Sequence, residues 1–469
     1  MEKKFVSLPY IYPVCPLSID HARMFVIADI LARYARLKGS DVVFPVASHY
    51  SGNTAQKIAE FFCDAGSESE PDAEQEKKRA LYRDFYSTPE YILKKFSDPL
   101  FILDYFSQEI LWELRLLGIS CDYDKYYTTK NERFSEFVRE IISRYKDEKL
   151  LVKNKSGEVA LDYDNEEWKN NTRHLLEQTE FIHPSQKKII ESTLKNNNVR
   201  NDWGILRDGG FGVEYEGHVV DPMFDSELFT VFDLYMAYHD EPELKEFDND
   251  GIFAAIFNRL LSGGEHSNNP LVERVVASLP CDVFVCEEHL KNWVLKRMYA
   301  ESYFMDKSYR TKSYFVTGMG LLNGKRMSAS RGCAILTKDL IRDHGPWKAR
   351  LIMLLTGGHP SKVYQFDERI PEQASEMIEH FSSYMLQLLS IAKRTEENVA
   401  REKTELSEVS AKIEGYIEKG YFKQAVIELI TIIPKKYKTP DKKASLELLD
   451  IYGNYLELFL PGFLRNFNL

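Results

Sequence analysis

Three stretches place proton-carrying or charged side chains together. Ser18-Ile19-Asp20-His21 opens a segment of helical apolar periodicity. A helix start exposes unpaired backbone N–H groups and the positive end of the dipole, a setting that favours anions. Taken alone, Ser18 reads as an N-cap and Asp20 as a first-turn acid complementing that dipole. Glu287-Glu288-His289 is either an acid–base set or a charged helix start, the commoner origin of such a run. Lys325-Arg326-Met327-Ser328-Ala329-Ser330 joins two cations to two hydroxyls, and by itself is a basic surface turn. The cysteines Cys15, Cys63, Cys121, Cys281, Cys286 and Cys333 include no CxxC pair, so neither a disulfide framework nor a zinc knuckle is legible, and no metal site is expected.

The elements that must position these residues follow from periodicity. Phe5–Tyr12 is a β-rich run. From Ser18 to Leu37, Met24, Ile27, Ile30, Leu31 and Tyr34 recur at three- and four-residue steps, which predicts an amphipathic helix stopped by Gly39. Asp41–Val46 is a second apolar strand, so a right-handed parallel crossover is expected. Residues 66–79 are polar and charge-dense, an exposed loop or frayed helix. Residues 88–117 are helical in pattern up to Gly118, residues 149–162 form a hairpin turning at Ser156-Gly157, and Asn165–Lys195 is helical again. Residues 196–202 make a turn, and the glycines between 203 and 230 indicate short strands and turns. Cys281–Cys286 and Tyr314–Gly318 read as strands with Glu288–Tyr299 as a helix between them. Beyond Glu372 the pattern is helical, interrupted at Pro434–Pro440. Three units are expected: 1–160 and 161–370 as two halves of an α/β nucleotide-binding-type domain, and 371–469 as a helical bundle.

Composition bounds the function. The 469 residues suit about three structural units. With 61 basic and 72 acidic residues the net charge is −11, which argues against a nucleic-acid-coating protein but not against a local tRNA-binding patch. No apolar run approaches the ~20 residues of a membrane span, and the N-terminus lacks the apolar core and cleavage site of a secretory signal. A reducing cytoplasm is the expected compartment.

Residues 5–23 (FVSLPYIYPVCPLSIDHAR) resemble the first signature of class I aminoacyl-tRNA synthetases, in which a strand leads to a HIGH tetrapeptide at a helix start. Residues 27–60, 105–129, 161–178, Trp203-Gly204 and 224–238 are similar to the archaeal and eukaryotic type of leucyl-tRNA synthetase. NGKRMSASRG (323–332) resembles the KMSKS loop, followed by DLIRDHGPWKARLIMLL as in the family. The order of these motifs along most of the chain is what makes the resemblance specific.

The resemblance implies an α/β fold: a class I synthetase-type Rossmann-like parallel sheet with a C-terminal helical bundle. It implies a ligase that activates a leucine-like apolar amino acid with ATP, accompanied by Mg2+, as an adenylate. His21, Arg326, Ser328 and Ser330 would stabilise the reacting phosphates. Ser18, Asp20, Lys325, Met327, Glu287 and His289 would line an altered ATP site. Here Ser18 and Asp20 replace the first histidine and the glycine of the tetrapeptide, and Ala329 replaces the second lysine of the loop, as in the KMSAS of tryptophanyl enzymes. Glu287 and His289 replace the glycine and aspartate of a Gly-x-Asp element. Tyr10, His49, Asp225 and Ser226 fall in register with the amino-acid pocket. Without the resemblance, Tyr10 is core packing and His49 a satisfied buried histidine.

Between Leu150 and Asp162, where the family inserts an editing domain, only VKNKSGEVALD is present. A missing methylene is worth only ~1–3 kcal/mol in one binding step, so a protein-synthesis enzyme without editing would be error-prone. The bundle is likewise expected to leave no room for the C-terminal tRNA-gripping module that the resemblance implies for the subfamily. Lys296, Arg297, Lys307, Arg310, Lys312, Lys325 and Arg326 are expected to cluster towards the acceptor side, with Lys435, Lys436, Lys438, Lys442 and Lys443 as a solvated face of the bundle. The acceptor is a tRNA, a small molecule or a carrier protein, and the protein is expected to be a monomer with no membrane partner. The alternative is a pseudo-synthetase that binds amino acid or tRNA as a regulator.

Overall fold

The computed structural model describes residues 2–63, 73–195, 203–261, 266–393 and 404–468. Half of the expected loop at 66–79 and the whole of the expected turn at 196–202 lie outside the described residues, and the other half, 73–79, falls in the helix Ala73–Ala80. The chain divides into two compact units. The first comprises Met1–Pro16, Asp41–Ile110 and Cys121–Val316, and the second Leu17–Ser40, Leu111–Ser120 and Thr317–Leu469.

The first unit is built on a five-stranded sheet in the order Asp41–Val43, Lys3–Ser7, Cys281–Cys286, Ser313–Thr317, Glu180–Phe181. Lys3–Ser7 runs parallel to both neighbours, with Phe5 opposite Val43 on one side and Cys281 on the other. Glu180–Phe181 pairs parallel with Ser313–Tyr314. Val6, Val283, Val285, Tyr314 and Val316 are wholly buried, as befits strands covered on both faces.

The first strand ends at Ser7 rather than Tyr12, because Pro9 has no N–H to offer a ladder. The helix expected over 165–195 is two helices, Glu166–Gln178 and Pro184–Lys195, with the edge strand between them. Pro184 disfavours helix at His183 and opens the second helix at its first position. The 151–161 segment is a two-stranded hairpin, Leu151–Lys153 against Val159–Leu161, where the family resemblance would put a domain.

The second unit is mainly helical: Ile19–Leu37, Thr337–His344, Pro346–Leu355, Ile370–Ala392, Thr404–Glu418, Phe422–Ile427 and Lys442–Phe459. A small sheet pairs Gly320–Leu322 antiparallel with Lys325–Arg326 and parallel with Tyr364–Gln365. Asn323 and Gly324, both at positive φ, make the two-residue turn between the first two strands. At its centre Asp29 is buried and fully bonded. Arg350 Nη2 donates to Oδ2 at 2.5 Å and Arg33 Nε to the same oxygen at 2.9 Å, while Ser120 N and Oγ donate to Oδ1 at 2.7 and 2.6 Å. Burial alone would raise the Asp29 carboxyl, but the two guanidinium groups and Ser120 hold it below the usual carboxylate range. Among the described residues no helix is long and apolar enough to cross a membrane.

Candidate functional site

Within the first unit the structure brings Tyr10, His49, Ser226 and His289 around one cavity of roughly 270 Å³. Pro9 and Tyr10 follow the first strand. Their loop is tied to the next one by Ile11 N donating to Ala47 O (3.1 Å) and His49 N donating to Ile11 O (2.7 Å). The Tyr10 ring packs among His49, Tyr127, Phe134 and Phe229 at centroid separations of 5.4–5.9 Å. Tyr127 Oη lies 2.9 Å from Tyr10 Oη and 2.6 Å from Asp233 Oδ1. Burial, followed by the nearby Asp233, pushes the Tyr10 hydroxyl well above the ordinary tyrosine value, so it stays protonated.

Asp225 does not line the cavity; it lies behind His49, fully buried. His49 Nε2 is 2.8 Å from Asp225 Oδ1, and Ser51 Oγ donates to Oδ2 at 2.9 Å. Burial raises the Asp225 carboxyl, and the His49 charge and the bonds from His49 and Ser51 pull it back down. The sequence makes this local geometry through a one-turn helix, Pro222–Asp225. Asp221 caps it by accepting from Met223 N at 2.8 Å, and Pro222 occupies its first position. Gly52 is at φ +89, a backbone conformation that side-chain-bearing residues rarely adopt, so the turn beside Pro222 depends on a glycine.

His289 closes a tight turn after the Cys281–Cys286 strand, where the expected helix starts irregularly and becomes regular only at Leu295–Phe304. Cys286 N donates to His289 Nδ1 at 3.1 Å, so a neutral His289 carries its proton on Nε2. Glu288 and His289 both line the cavity, while Glu287 of the same turn does not. Pro9, Pro222, Met223, Asn292 and Trp293 also line the cavity and were not singled out from the sequence. Asn292 and Trp293 stand one turn beyond His289, and Trp293 Nε1 donates to Ser226 Oγ at 3.1 Å. The i, i+4 spacing of His289 and Trp293 was the available signal.

The residues expected to handle phosphate divide between the units, with Glu287 and His289 in the first and Ser18, Asp20, His21 and the 325–330 loop in the second. Ser18 occupies the N-cap position of the Ile19–Leu37 helix, yet its hydroxyl caps no backbone N–H; it sits 3.0 Å from Nδ1 of the exposed His21. Asp20 is not a solvent-facing first-turn acid. Tyr364 Oη donates to its Oδ1, and Gly320 N–H donates to its carboxylate as well. Burial raises the Asp20 carboxyl, and the Tyr364 bond, His21, Arg23 and the Gly320 bond counter part of the rise.

A Cβ at Gly320 would stand 2.5 Å from Asp20 Oδ1 and 2.6 Å from Tyr364 Oη. Gly320→Ala is therefore expected to destabilise the second unit by about 1–3 kcal/mol. In thermal unfolding, Asp20→Gly in the same background should recover part of the loss. Lys325, Arg326 and Ser330 are exposed and Met327 is buried. Ser328 N donates to Cys333 O at 2.7 Å, and Ser328 Oγ is 3.1 Å from Ser330 Oγ, which closes the loop on itself.

Part of the expected basic cluster is inside the protein. Arg297 is wholly buried, ion-paired to Glu301 at 2.6 Å and bonded to Thr230 and Thr311, and Lys296 is buried over the Trp203 ring. Arg310 spends Nε and Nη2 on the carbonyls of Met305 and Ser302. Lys296 and Arg297 are architectural, because cations on a buried stretch of helix must be satisfied internally, while Arg310 is a part-buried tie beyond the helix end. Among the described residues no group of three or more His, Cys, Asp or Glu is placed to hold a metal ion.

Residues 4–86 match the family of class I tRNA synthetases (M). Among curated relatives, leucine–tRNA ligase 2 of Sulfolobus acidocaldarius is 31% identical over 137 residues, which is 29% of this chain and 14% of that protein. The leucine–tRNA ligase of Methanopyrus kandleri is 31% identical over 162 residues, 34% of this chain and 16% of the relative. The matched stretches thus span about one seventh of the length of these relatives. Two solved structures share the fold over 98% of this chain. Mycobacterium tuberculosis methionyl-tRNA synthetase in complex with methionyl-adenylate has a TM-score of 0.64 at 14% identity, over 92% of that chain. The Agrobacterium radiobacter agnB2 LeuRS–tRNA–LeuAMS ternary complex has a TM-score of 0.66 at 10% identity, over 84% of that chain. The fold is the mixed α/β fold of class I synthetase catalytic domains, and archaeal leucine–tRNA ligases are among the homologues.

Proposed function

We propose that this chain, which carries a class I tRNA synthetase domain with leucine–tRNA ligase homologues, is an ATP-dependent aminoacyl ligase that forms the adenylate of an apolar, leucine-like amino acid and passes the acyl group to an acceptor. One observation carries the reading. Tyr10, His49, Ser226 and His289, separated by up to 279 positions, converge on one cavity whose other walls are Pro9, Pro222, Met223, Glu288, Asn292 and Trp293. A small cleft with apolar walls and several convergent polar groups is the form of a site that binds one small molecule in one orientation.

In the chemistry that the ligase requires, the amino-acid carboxylate attacks the α-phosphorus and pyrophosphate leaves. His21, exposed at the first turn of a long helix, would donate to the phosphates with the helix dipole behind it. Lys325 and Arg326 would hold the leaving pyrophosphate from their hairpin, while Ser328 and Ser330 shape that loop. Mg2+ would enter as the counterion of the ATP phosphates. Glu287 and His289 would border the nucleotide, and Asp225 would act through His49. The boundaries at 160 and 370 remain the proposed division of catalytic halves and bundle.

Isotope exchange between pyrophosphate and ATP in the presence of leucine tests this. Exchange should be leucine-dependent, and Arg326→Ala should lower it about 100-fold, the usual loss when one preorganised donor is removed. Absence of exchange with all twenty amino acids would overturn adenylation. It would favour the second reading, a pseudo-synthetase, for which the specific observation is Asp20. Its carboxylate replaces a glycine beside the expected phosphates, although Tyr364 and Gly320 engage it.

A further inference from the structure

The proposed activity needs nothing from Asp225 beyond holding an amino-acid-binding histidine, yet the pair is built as a catalytic dyad. Asp225 has no exposed surface; one oxygen faces His49 Nε2 at 2.8 Å and the other accepts Ser51 Oγ at 2.9 Å. Both oxygens are therefore fixed, and with them the plane of the imidazole. With the proton of a neutral His49 on Nε2, shared with the carboxylate, the Nδ1 lone pair is not used by the dyad, and His49 is one of the residues that line the cavity. A carboxylate behind an imidazole orients the ring and stabilises the imidazolium that forms when it takes a second proton. The other titratable groups near His49 are Tyr10, whose hydroxyl stays protonated, Tyr12 at a ring separation of 6.5 Å, and Glu288 and His289 on the cavity wall.

We propose that His49, oriented by Asp225 and Ser51, is the general base that deprotonates the acceptor during aminoacyl transfer in this cavity. The inference rests on the adenylate-forming reading. In the step, the acceptor's N–H or O–H nucleophile attacks the acyl carbon of the aminoacyl-adenylate. A C–N or C–O bond forms, the acyl C–O bond to phosphorus breaks, and AMP departs with that electron pair. The acceptor's proton passes to His49 Nδ1 and then to solvent, so no oxidant, reductant or further reactant is needed. Such a base acts on a protic nucleophile of any size that reaches the cavity, and a free small amine is the simplest case.

The test separates this step from adenylate formation by supplying preformed leucyl-adenylate to the protein, with hydroxylamine as acceptor and hydroxamate as the readout. Calorimetry with the non-hydrolysable leucyl-sulfamoyl-adenosine reports binding independently. The protein should accelerate hydroxamate formation over free solution, with a rate that rises with pH through one ionisation beyond that of hydroxylamine itself. Asp225→Asn should lower the accelerated rate about 100-fold and displace that ionisation, and Asp225→Glu should restore part of it. Ser51→Ala, which removes only a hydroxyl, should give a smaller loss with the same displacement in folded protein. Binding of the analogue without acceleration, or rates and pH profiles unchanged in Asp225→Asn and Ser51→Ala, would overturn the general base while leaving the ligase reading intact. Failure to bind the analogue would overturn both.

Discussion

Arg350→Met is expected to destabilise the second unit by about 3–5 kcal/mol, the cost of breaking a buried ion pair by removing one partner. Arg350 is wholly buried, and every nitrogen of its guanidinium is spent. Nε donates to Phe459 O at 2.7 Å, Nη1 to Leu117 O at 3.0 Å, and Nη2 to Asp29 Oδ2 and Leu458 O. Its loss orphans three carbonyls and, among the described residues, leaves Asp29 with Arg33 as its cationic partner. Arg350→Met with Asp29→Leu removes the stranded charge and should recover a substantial part of the loss. Urea unfolding of both variants checks this. A single variant within about 1 kcal/mol of the parent would show that the network is not what holds these segments together.

The second large effect is on pH. Two buried carboxyls in the first unit, Asp233 and Glu227, are pushed up by burial to about 7 and about 8. For Asp233 the bonds from Tyr127 and Ser7 counter part of the rise, and for Glu227 the Lys296 charge and the Tyr163 hydroxyl do so. In the unfolded chain both titrate near 4. Between the two values the folded state binds more protons than the unfolded one, so stability must fall as pH rises. It is fully present below about pH 4 and lost as pH passes through about 7 and then about 8, amounting to several kcal/mol for the two groups together. Thermal melting should therefore fall from about pH 5.5 to about pH 8.5, and Glu227→Gln, which keeps an acceptor for Tyr163 without the charge, should flatten the upper part of that decline. A melting temperature that holds or climbs over this range would contradict the buried, protonated state of these groups.

Much of the framework is legible in the sequence because apolar periodicity reports burial directly. Cys281–Cys286 is a strand at the expected bounds, the first helix spans Ile19–Leu37, and the hairpin turns at Ser156-Gly157. The Glu180–Phe181 strand escapes notice because two residues cannot display an alternation; only pairing with Ser313–Tyr314, more than a hundred positions away, makes them a strand. The candidate site is less legible still. Tyr10, His49 and Ser226 can be singled out through a resemblance in register, but nothing local says that they face one another. Asp225 beside His49, and Asn292 and Trp293 on the wall, become visible only when four separate segments meet. Ser18 and Asp20 show the opposite limit, since end-of-helix rules describe their backbone and miss their side-chain partners, which lie at His21, Gly320 and Tyr364.

The second unit is assembled from three separate pieces of chain, and this has a consequence for its birth on the ribosome. Asp29 and Arg350 are 321 positions apart, so at about 5–20 residues per second the acid is made roughly 15–60 s before its partner exists. Through that interval Asp29, in the Ile19–Leu37 helix, has Arg33, four positions on in the same segment, as a cationic neighbour but lacks the second guanidinium. An isolated helix of that length is marginal in water. The segment is therefore stably packed only once the later pieces of its own unit exist. Charge at Asp29 keeps the waiting segment soluble, and the arrival of Arg350 turns the same charge into the bond that ends the wait.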